Sequence, residues 1–350
     1  MSNRTRNICI IFLLAFVIKA KGQDVHFSQF YENAMLRNPA LTGIFSGDYK
    51  VGANYRNQWS SVDAHPFTTG LASAETRIHI NEEVPDFISF GLTCVYDKSG
   101  SIDFTTMQAY PAINYNKFLE SKHNTYLSGG FTCGIIQRSF DLSKMTFANQ
   151  FINGGYSPGN PSKENFSFNN VSNFDLGFGL SMNSSMGREN EHNYYFGIAM
   201  YHASKPSQSF NGQGSIVHLS PKYVANFGMK IKLSEQNNLL FHANYAQQDP
   251  YQEIIAGAMI SWKSLSTEKT LVLYGGLFYR YKDAFIPTAK VDYGQYSLTM
   301  SYDVTNSSAY HATNRLGGTE ISLFYRGLFP NDSYAKMMRC PRFEDINVNF

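Results

Sequence analysis

Strict alternation of side-chain type most constrains what this chain can fold into. Ile88, Phe90, Leu92, Cys94 and Tyr96 interleave with Ser89, Gly91, Thr93 and Val95, and only Val95 breaks the pattern. Phe174, Leu176, Phe178, Leu180 and Met182 interleave with Asp175, Gly177, Gly179 and Ser181; Tyr194, Phe196, Ile198 and Met200 follow, and Leu298, Met300 and Tyr302 repeat the scheme. Successive side chains on a strand point to opposite faces, so each stretch is a strand with one apolar and one polar face. The polar face is Gly, Ser, Thr and Asp, which suits a wet lumen or a solvated surface rather than a second packed layer. Helical periodicity is weak throughout.

Stretches of this kind between turn clusters predict about fourteen strands, near 49–59, 67–78, 87–96, 103–115, 124–136, 174–184, 193–202, 221–232, 238–247, 252–263, 271–282, 284–292, 295–304 and 318–327. They run near the ~10 residues that a tilted strand needs to cross a bilayer, longer than the ~5–6 of soluble sheets. An even number lets an up-and-down barrel close without a free edge. The three longest intervening segments, 137–173, 203–220 and 305–317, all fall on odd-numbered connections. That is the spacing expected when long loops face outward and short turns face inward. A soluble β-sandwich also alternates, but fourteen long strands strain its usual size. The expected fold is therefore all-β: an outer-membrane up-and-down β-barrel of about 14 antiparallel strands. Aromatics near strand ends, namely Tyr55, Trp59, Tyr96, Tyr110, Tyr115, Tyr201, Trp262 and Tyr281, fit interfacial girdles.

The first residues stand apart. Arg4 and Arg6 precede an apolar run over 8–18, and Ala20 and Gly22 follow, the layout of a signal peptide over 1–22. The run is short of the ~20 residues of a spanning helix. Removing 1–22 takes away four basic side chains, leaving 25 Lys+Arg against 27 Asp+Glu and a formal charge of −2. No basic stripe remains for nucleic acid. Charged residues are 16% and aromatics 15%, yet mean hydropathy is negative and no second long apolar run exists. Helical membrane proteins are thereby excluded, whereas barrels, apolar on one face only, are not. The expected organisation is a leader at 1–22, an N-terminal periplasmic segment at 23–46, a barrel at 47–327 and a C-terminal tail at 328–350. Cys94, Cys133 and Cys340 are an odd number, widely spaced, and form no disulfide framework.

Catalytic motifs are absent: no G-x-S-x-G elbow, H-E-x-x-H helix, phosphate-cradling glycine loop or C-x-x-C pair occurs. His202 and Ser204 share a strand face and could form a dyad, but the triplet runs into a Pro-containing loop and reads as incidental. No enzyme activity, cofactor or metal site is expected. Glu75, Lys230, Arg280 and Arg326 are candidates for ion pairs across a barrel interior. Residues 150–170 form a breaker-rich stretch that could carry function or fold inward as a plug, with Phe147, Phe151, Tyr156 and Phe166 as anchors.

Several motifs in order carry a family resemblance. Gln23-Asp24, Phe27-Ser28-Gln29-Phe30, Asn38-Pro39-Ala40 and Gly43 open the mature chain, followed by Tyr55-Arg56-Asn57-Gln58-Trp59. Then come Tyr201-His202 with Lys205-Pro206 and Gln208-Ser209-Phe210, and Tyr279-Arg280-Tyr281 with Asp283. Ser301-Tyr302-Asp303, Glu320-Ile321-Ser322-Leu323, Tyr325-Arg326 and Arg339-Cys340-Pro341-Arg342-Phe343 complete the series. Together they resemble the PorP/SprF family of type IX secretion system membrane proteins. The chain departs from that pattern after Phe343, where Ile346, Val348 and Phe350 alternate. The resemblance implies an outer-membrane barrel that binds rather than catalyses. Its partners would be outer-membrane lipid and either periplasmic type IX components or a large secreted adhesin that it helps to export or anchor, as in gliding motility. The alternative is a FadL-like channel for small or lipidic solutes.

Overall fold

The computed structural model describes residues 24–60, 65–80, 85–152, 154–164, 166, 168–210, 217–264, 270–307, 313 and 315–329. The expected leader, the tail beyond Phe329 and the motif residues Cys340, Pro341, Arg342 and Phe343 lie outside them.

Fourteen antiparallel strands close into one barrel. In chain order they are β1 (Tyr49–Gln58), β2 (Phe67–His79), β3 (Phe87–Ser99), β4 (Phe104–Glu120) and β5 (Thr125–Ser139), then β8 (Asn170–Met186), β9 (His192–Tyr201), β10 (Lys222–Lys232), β11 (Asn237–Gln248), β12 (Tyr251–Lys263), β13 (Leu271–Arg280), β14 (Ala284–Tyr293), β15 (Tyr296–Thr305) and β16 (Leu316–Gly327). Each strand pairs with its sequence neighbour, and β1 closes the ring on β16, Tyr49 opposite Gly327 and Gln58 opposite Gly318. The remaining two strands, β6 (Phe151–Ile152) and β7 (Gly155–Tyr156), make a small hairpin in the loop after β5.

Burial follows the alternation. On β14, Phe285, Pro287, Ala289, Val291 and Tyr293 face out while Ile286, Thr288, Lys290 and Asp292 face in. The exposed surface of the strands is Leu, Ile, Phe, Tyr and Met, whereas Ser89, Asn114, Asn116, Ser128, Asp175 and Ser261 are fully buried. This inverted arrangement, apolar outside and polar inside, is what a lipid-embedded barrel requires. Tyr55, Tyr96, Tyr115, Trp262 and Tyr281 lie on the outer face as expected, but Tyr110 and Tyr201 turn inward and are buried. Their hydroxyls explain the exception: Tyr110 donates to Asp175 Oδ2 at 2.7 Å and Tyr201 to the Met35 carbonyl at 2.5 Å.

One expectation is corrected. The lumen is not simply wet, because residues 24–46, expected to sit in the periplasm apart from the barrel, fold inside it. Asp24 meets Lys222 and Gln248 near the long-loop end. The segment then descends through the lumen until the Asp48 amide donates to the Gly327 carbonyl at 2.7 Å, where β1 begins. The described aromatics of the 150–170 stretch do not fill the lumen: Phe151 and Tyr156 are exposed on the hairpin, and Phe147 packs on Phe166, which in turn meets Phe140 just past β5. Of the two outcomes left open for that stretch, the plug is supplied instead by residues 24–46.

Candidate functional site: the luminal plug and the vestibule above it

The segment Phe27-Ser28-Gln29-Phe30 splits its side chains between walls. Phe27 packs on Leu71 and Val95 of β2 and β3. Phe30 enters an apolar pocket of Leu240, Ile255, Met259, Val272, Phe278 and Ile286 on the opposite wall. Tyr31 stacks between His242 at 5.2 Å and Phe278 at 5.1 Å. Each aromatic anchor adds roughly 1.5–3 kcal/mol by burial.

Between these anchors, Ser28 and Gln29 face the seam where β1 meets β16. The Ser28 amide donates to Glu320 Oε2 at 2.7 Å and the Gln29 amide to Oε1 at 3.0 Å. Asn54 Nδ2 donates to Oε1 at 2.8 Å, and Arg56, directly across the seam from Glu320, donates to Oε2 at 3.1 Å. Arg56 also reaches Asp303 Oδ2 at 2.8 Å, and Arg280 meets the same oxygen at 3.0 Å. The Ser28 hydroxyl donates to Asp303 Oδ1 at 2.6 Å and accepts from both Arg56 and Arg280. Two guanidinium groups and two carboxylates therefore balance in a buried clamp whose centre is a plug serine. Buried charges at membrane depth persist only when paired in this way.

Deeper in the lumen, Glu32 takes Lys290 at 2.7 Å and the Thr299 hydroxyl at 3.1 Å. Asn38 fixes the next turn: its Nδ2 donates to the Leu180 and Ile198 carbonyls at 3.0 and 3.2 Å, and its Oδ1 accepts the Ala40 amide at 2.9 Å. Gly130 and Gly179 make this approach possible, since a Cβ on either would overlap Pro39 and Ala40 backbone or the Asn38 side chain. Glycine is required where another backbone comes this close.

Above the plug lies a vestibule of about 810 Å³, floored by Asp24, Val25 and His26 and opening at the long-loop end. Asp24 is held there by Lys222 Nζ at 3.0 Å and Gln108 Nε2 at 3.0 Å. His202 Nδ1 lies 2.8 Å from Asp175, and its Nε2 is 3.5 Å from Asp24. Burial alone would push the His202 pKa down, but the two carboxylates outweigh it and hold it above the ordinary histidine value. A raised pKa contributes stability at low pH that is lost as pH rises through the folded value. Melting temperatures of the wild-type barrel and His202→Gln in detergent should therefore differ by about 2–4 °C near pH ~6 and converge toward pH ~9. A gap that widens with pH would contradict this assignment. The Ser204 hydroxyl donates to Phe174 O and Asp175 Oδ1, both at 3.1 Å. Ser204 and His202 thus share the Asp175 carboxylate, and the hydroxyl's two bonds go to Phe174 and Asp175.

The structure thus gathers Asn38, Pro39, Arg56, Arg280, Asp303 and Glu320, all singled out in sequence, onto the plug. Tyr201 and His202 join them from the edge of the vestibule, and Trp59 lines its wall. It separates the others: Tyr55, Tyr279, Tyr302 and Tyr325 face outward, Arg326 is buried, and Lys205 and Pro206 sit in the loop after β9. Of the four charges proposed to pair across the interior, Glu75 approaches Lys50 at 4.0 Å and Arg280 meets Asp303 at 3.0 Å, while Lys230 is only half-buried. Sequence reasoning missed Glu32, Lys290 and Asp175 as contacts of this site, and held Ser28 and Gln29 only as part of the opening motif. Charges at inward positions of a membrane strand, as in Lys50, Arg56, Lys290 and Asp292, were the available signal.

Solved structures similar to the chain are barrels. The CymD monoaromatic hydrocarbon channel matches at TM-score 0.44 and 11% identity, over 84% of this chain and 92% of that one. The translocator domain of autotransporter NalP from Neisseria meningitidis matches at TM-score 0.34 and 10% identity, over 85% and 95%. The KdgM porin, in complex with disordered oligogalacturonate, matches at TM-score 0.35 and 8% identity, over 79% and 98%. A search of curated proteins finds no match. The family model described as type IX secretion system membrane protein PorP/SprF matches residues 19–325, a span that holds both the plug and every strand that clamps it. The chain belongs to the PorP/SprF family of type IX secretion system membrane proteins.

Proposed function

We propose that this chain works in the outer membrane as a closed, outward-facing cup: a docking and anchoring part of the type IX system rather than a conduit. In that role it binds the secretion and gliding machinery or supports export and surface retention of a secreted adhesin. One observation carries the reading. Residues 24–46 pack the lumen from the vestibule floor to the short-turn end, leaving a cavity of about 810 Å³ on the side of the long loops and, among the described residues below it, one of only about 60 Å³ beside Glu32 and Lys290. Long loops face outward in barrels of this kind, and loops over a rigid scaffold are where partners bind. A solute channel would need a path past the plug, which speaks against that alternative.

The purified wild-type barrel should be electrically silent in planar bilayers, and steady solute-selective current would sink the cup. Partner placement is tested in cells with a photo-crosslinking side chain at Val217, exposed in the loop after β9, or at Arg188, exposed at the opposite end. Adducts with a secreted protein from Val217 support the anchoring role. Adducts with periplasmic secretion parts from Arg188 support the core role, and adducts from neither position would reject docking altogether.

A further inference from the structure

The small cavity of about 60 Å³ in the lower lumen lies between the plug and strands β1, β9 and β11 to β14. Three of its residues are cations, Arg37, Lys50 and Lys290, and one, Glu32, is a carboxylate. The lysines have acidic company: Lys290 meets Glu32 at 2.7 Å and Asp292 at 3.9 Å, and Lys50 stands 4.0 Å from Glu75. Arg37 has none. Among the described residues it forms no ion pair: its terminal nitrogens donate to the Tyr195 hydroxyl at 2.7 Å and the Tyr31 carbonyl at 3.3 Å, and its Nε is buried without a partner. The rings of Phe30 and Tyr195, at 5.6 and 5.7 Å, ease the charge without cancelling it. Arg326, directly across the seam from Lys50, is a further cation that acts on Glu32. Apart from Arg77 and Asp48, which stand 3.9 Å from each other, the lower lumen thus sets Arg37, Lys50, Lys290 and Arg326 against Glu32, Glu75 and Asp292, one negative charge short.

Arginine keeps its proton in proteins, and Arg37 is only 6% exposed, beside a cavity whose other walls include Leu41, Ile44, Leu240 and Met259. A charge buried among such side chains is costly unless an opposite charge meets it. The volume restricts what that charge can be. One water needs roughly 10–15 Å³, so the space suits a monatomic anion with a water or two and is too small for a peptide, a sugar or a nucleotide. Donors are in place: Arg37 Nε is one, and Lys50 spends one of its N–H groups on the Glu32 carbonyl at 3.2 Å. We infer that this cavity binds a small monovalent inorganic anion of the size of chloride, held between Arg37 and Lys50. Arg37 ends the short helix Ala34–Arg37, just before Asn38, and Lys50 belongs to β1. The ion therefore ties the lower part of the plug to the wall, as the Glu320 clamp ties the upper part. This goes beyond the docking-cup reading and does not depend on it.

Chloride should then stabilise the full-length barrel in non-ionic detergent. Replacing sodium gluconate, whose anion is too large for the cavity, by sodium chloride at constant ionic strength should raise the melting temperature saturably, by about 2–4 °C. In Arg37→Gln the chloride concentration at half effect should rise at least about tenfold, and Arg37→Lys, which keeps the charge, should restore part of the response. Retained heat-modifiable gel mobility establishes that each variant is folded. Position is read from crystals of the wild-type barrel grown in sodium bromide, where anomalous scattering should place a bromide between Arg37 and Lys50. No gain of chloride over gluconate, an equal gain in Arg37→Gln, or bromide found only at other places would each overturn the inference. If Arg37→Gln does not fold, the wild-type titration and the bromide position decide the matter between them.

Discussion

Glu320→Ala is expected to destabilise the folded barrel by about 3–5 kcal/mol, the cost of breaking a buried ion pair from one side. The carboxylate is 1% exposed and accepts from two plug amides, Asn54 and Arg56 at once. Truncation strands those donors and leaves Arg56 leaning on Asp303 alone. The damage is concentrated at the closing seam, since Arg56 and Glu320 are direct partners on β1 and β16. Glu320→Gln keeps an acceptor of the same shape but no charge, so it should fall between wild type and alanine. Equilibrium unfolding in urea and detergent, followed by the shift between compact and unfolded bands on unheated gels, reads the difference. An alanine variant within about 0.5 kcal/mol of wild type, as surface substitutions are, would show that the clamp does not hold the barrel shut.

Why the barrel was legible and its contents were not follows from range. Alternation is local: a strand such as β14 writes its two faces into ten consecutive residues, and neighbouring strands are neighbours in sequence. Ends were less legible. β4 runs on to Glu120, beyond the expected 115, because Asn116 still faces the lumen and Lys117 reaches Asp86 at 2.8 Å beyond it. The plug has no period to read. Its anchors are single residues whose partners lie almost a whole chain away, as Ser28 and Glu320 do, 292 positions apart. The motif residues could be picked out as a set, but nothing in their spacing says that Arg56, Arg280, Asp303 and Glu320 meet on one serine. The polar loop at 150–170 left function and plugging both open for the same reason: breakers mark a loop, not the direction in which it folds.

Removing residues 24–46 while retaining residues 1–23 and the barrel is expected to convert a silent protein into one that conducts ions in discrete steps. The ring of strands is closed by hydrogen bonds between neighbours and does not depend on the plug for its backbone pairing. What the plug supplies is contents: Phe27 and Phe30 against opposite walls, and Ser28, Gln29, Glu32 and Asn38 against inward polar groups. Without them the inward face of Lys50, Arg56, Lys290, Asp303 and Glu320 meets water, which such groups tolerate far better than lipid. Gly179→Val offers a milder version, since its side chain would occupy the place of the Asn38 amide and loosen one turn of the plug. It should flicker open briefly where the deletion stays open, with both variants still migrating as compact barrels before heating. If the compact, plug-less barrel blocked current as fully as wild type, closure would have to lie elsewhere, and the cup would lose its floor.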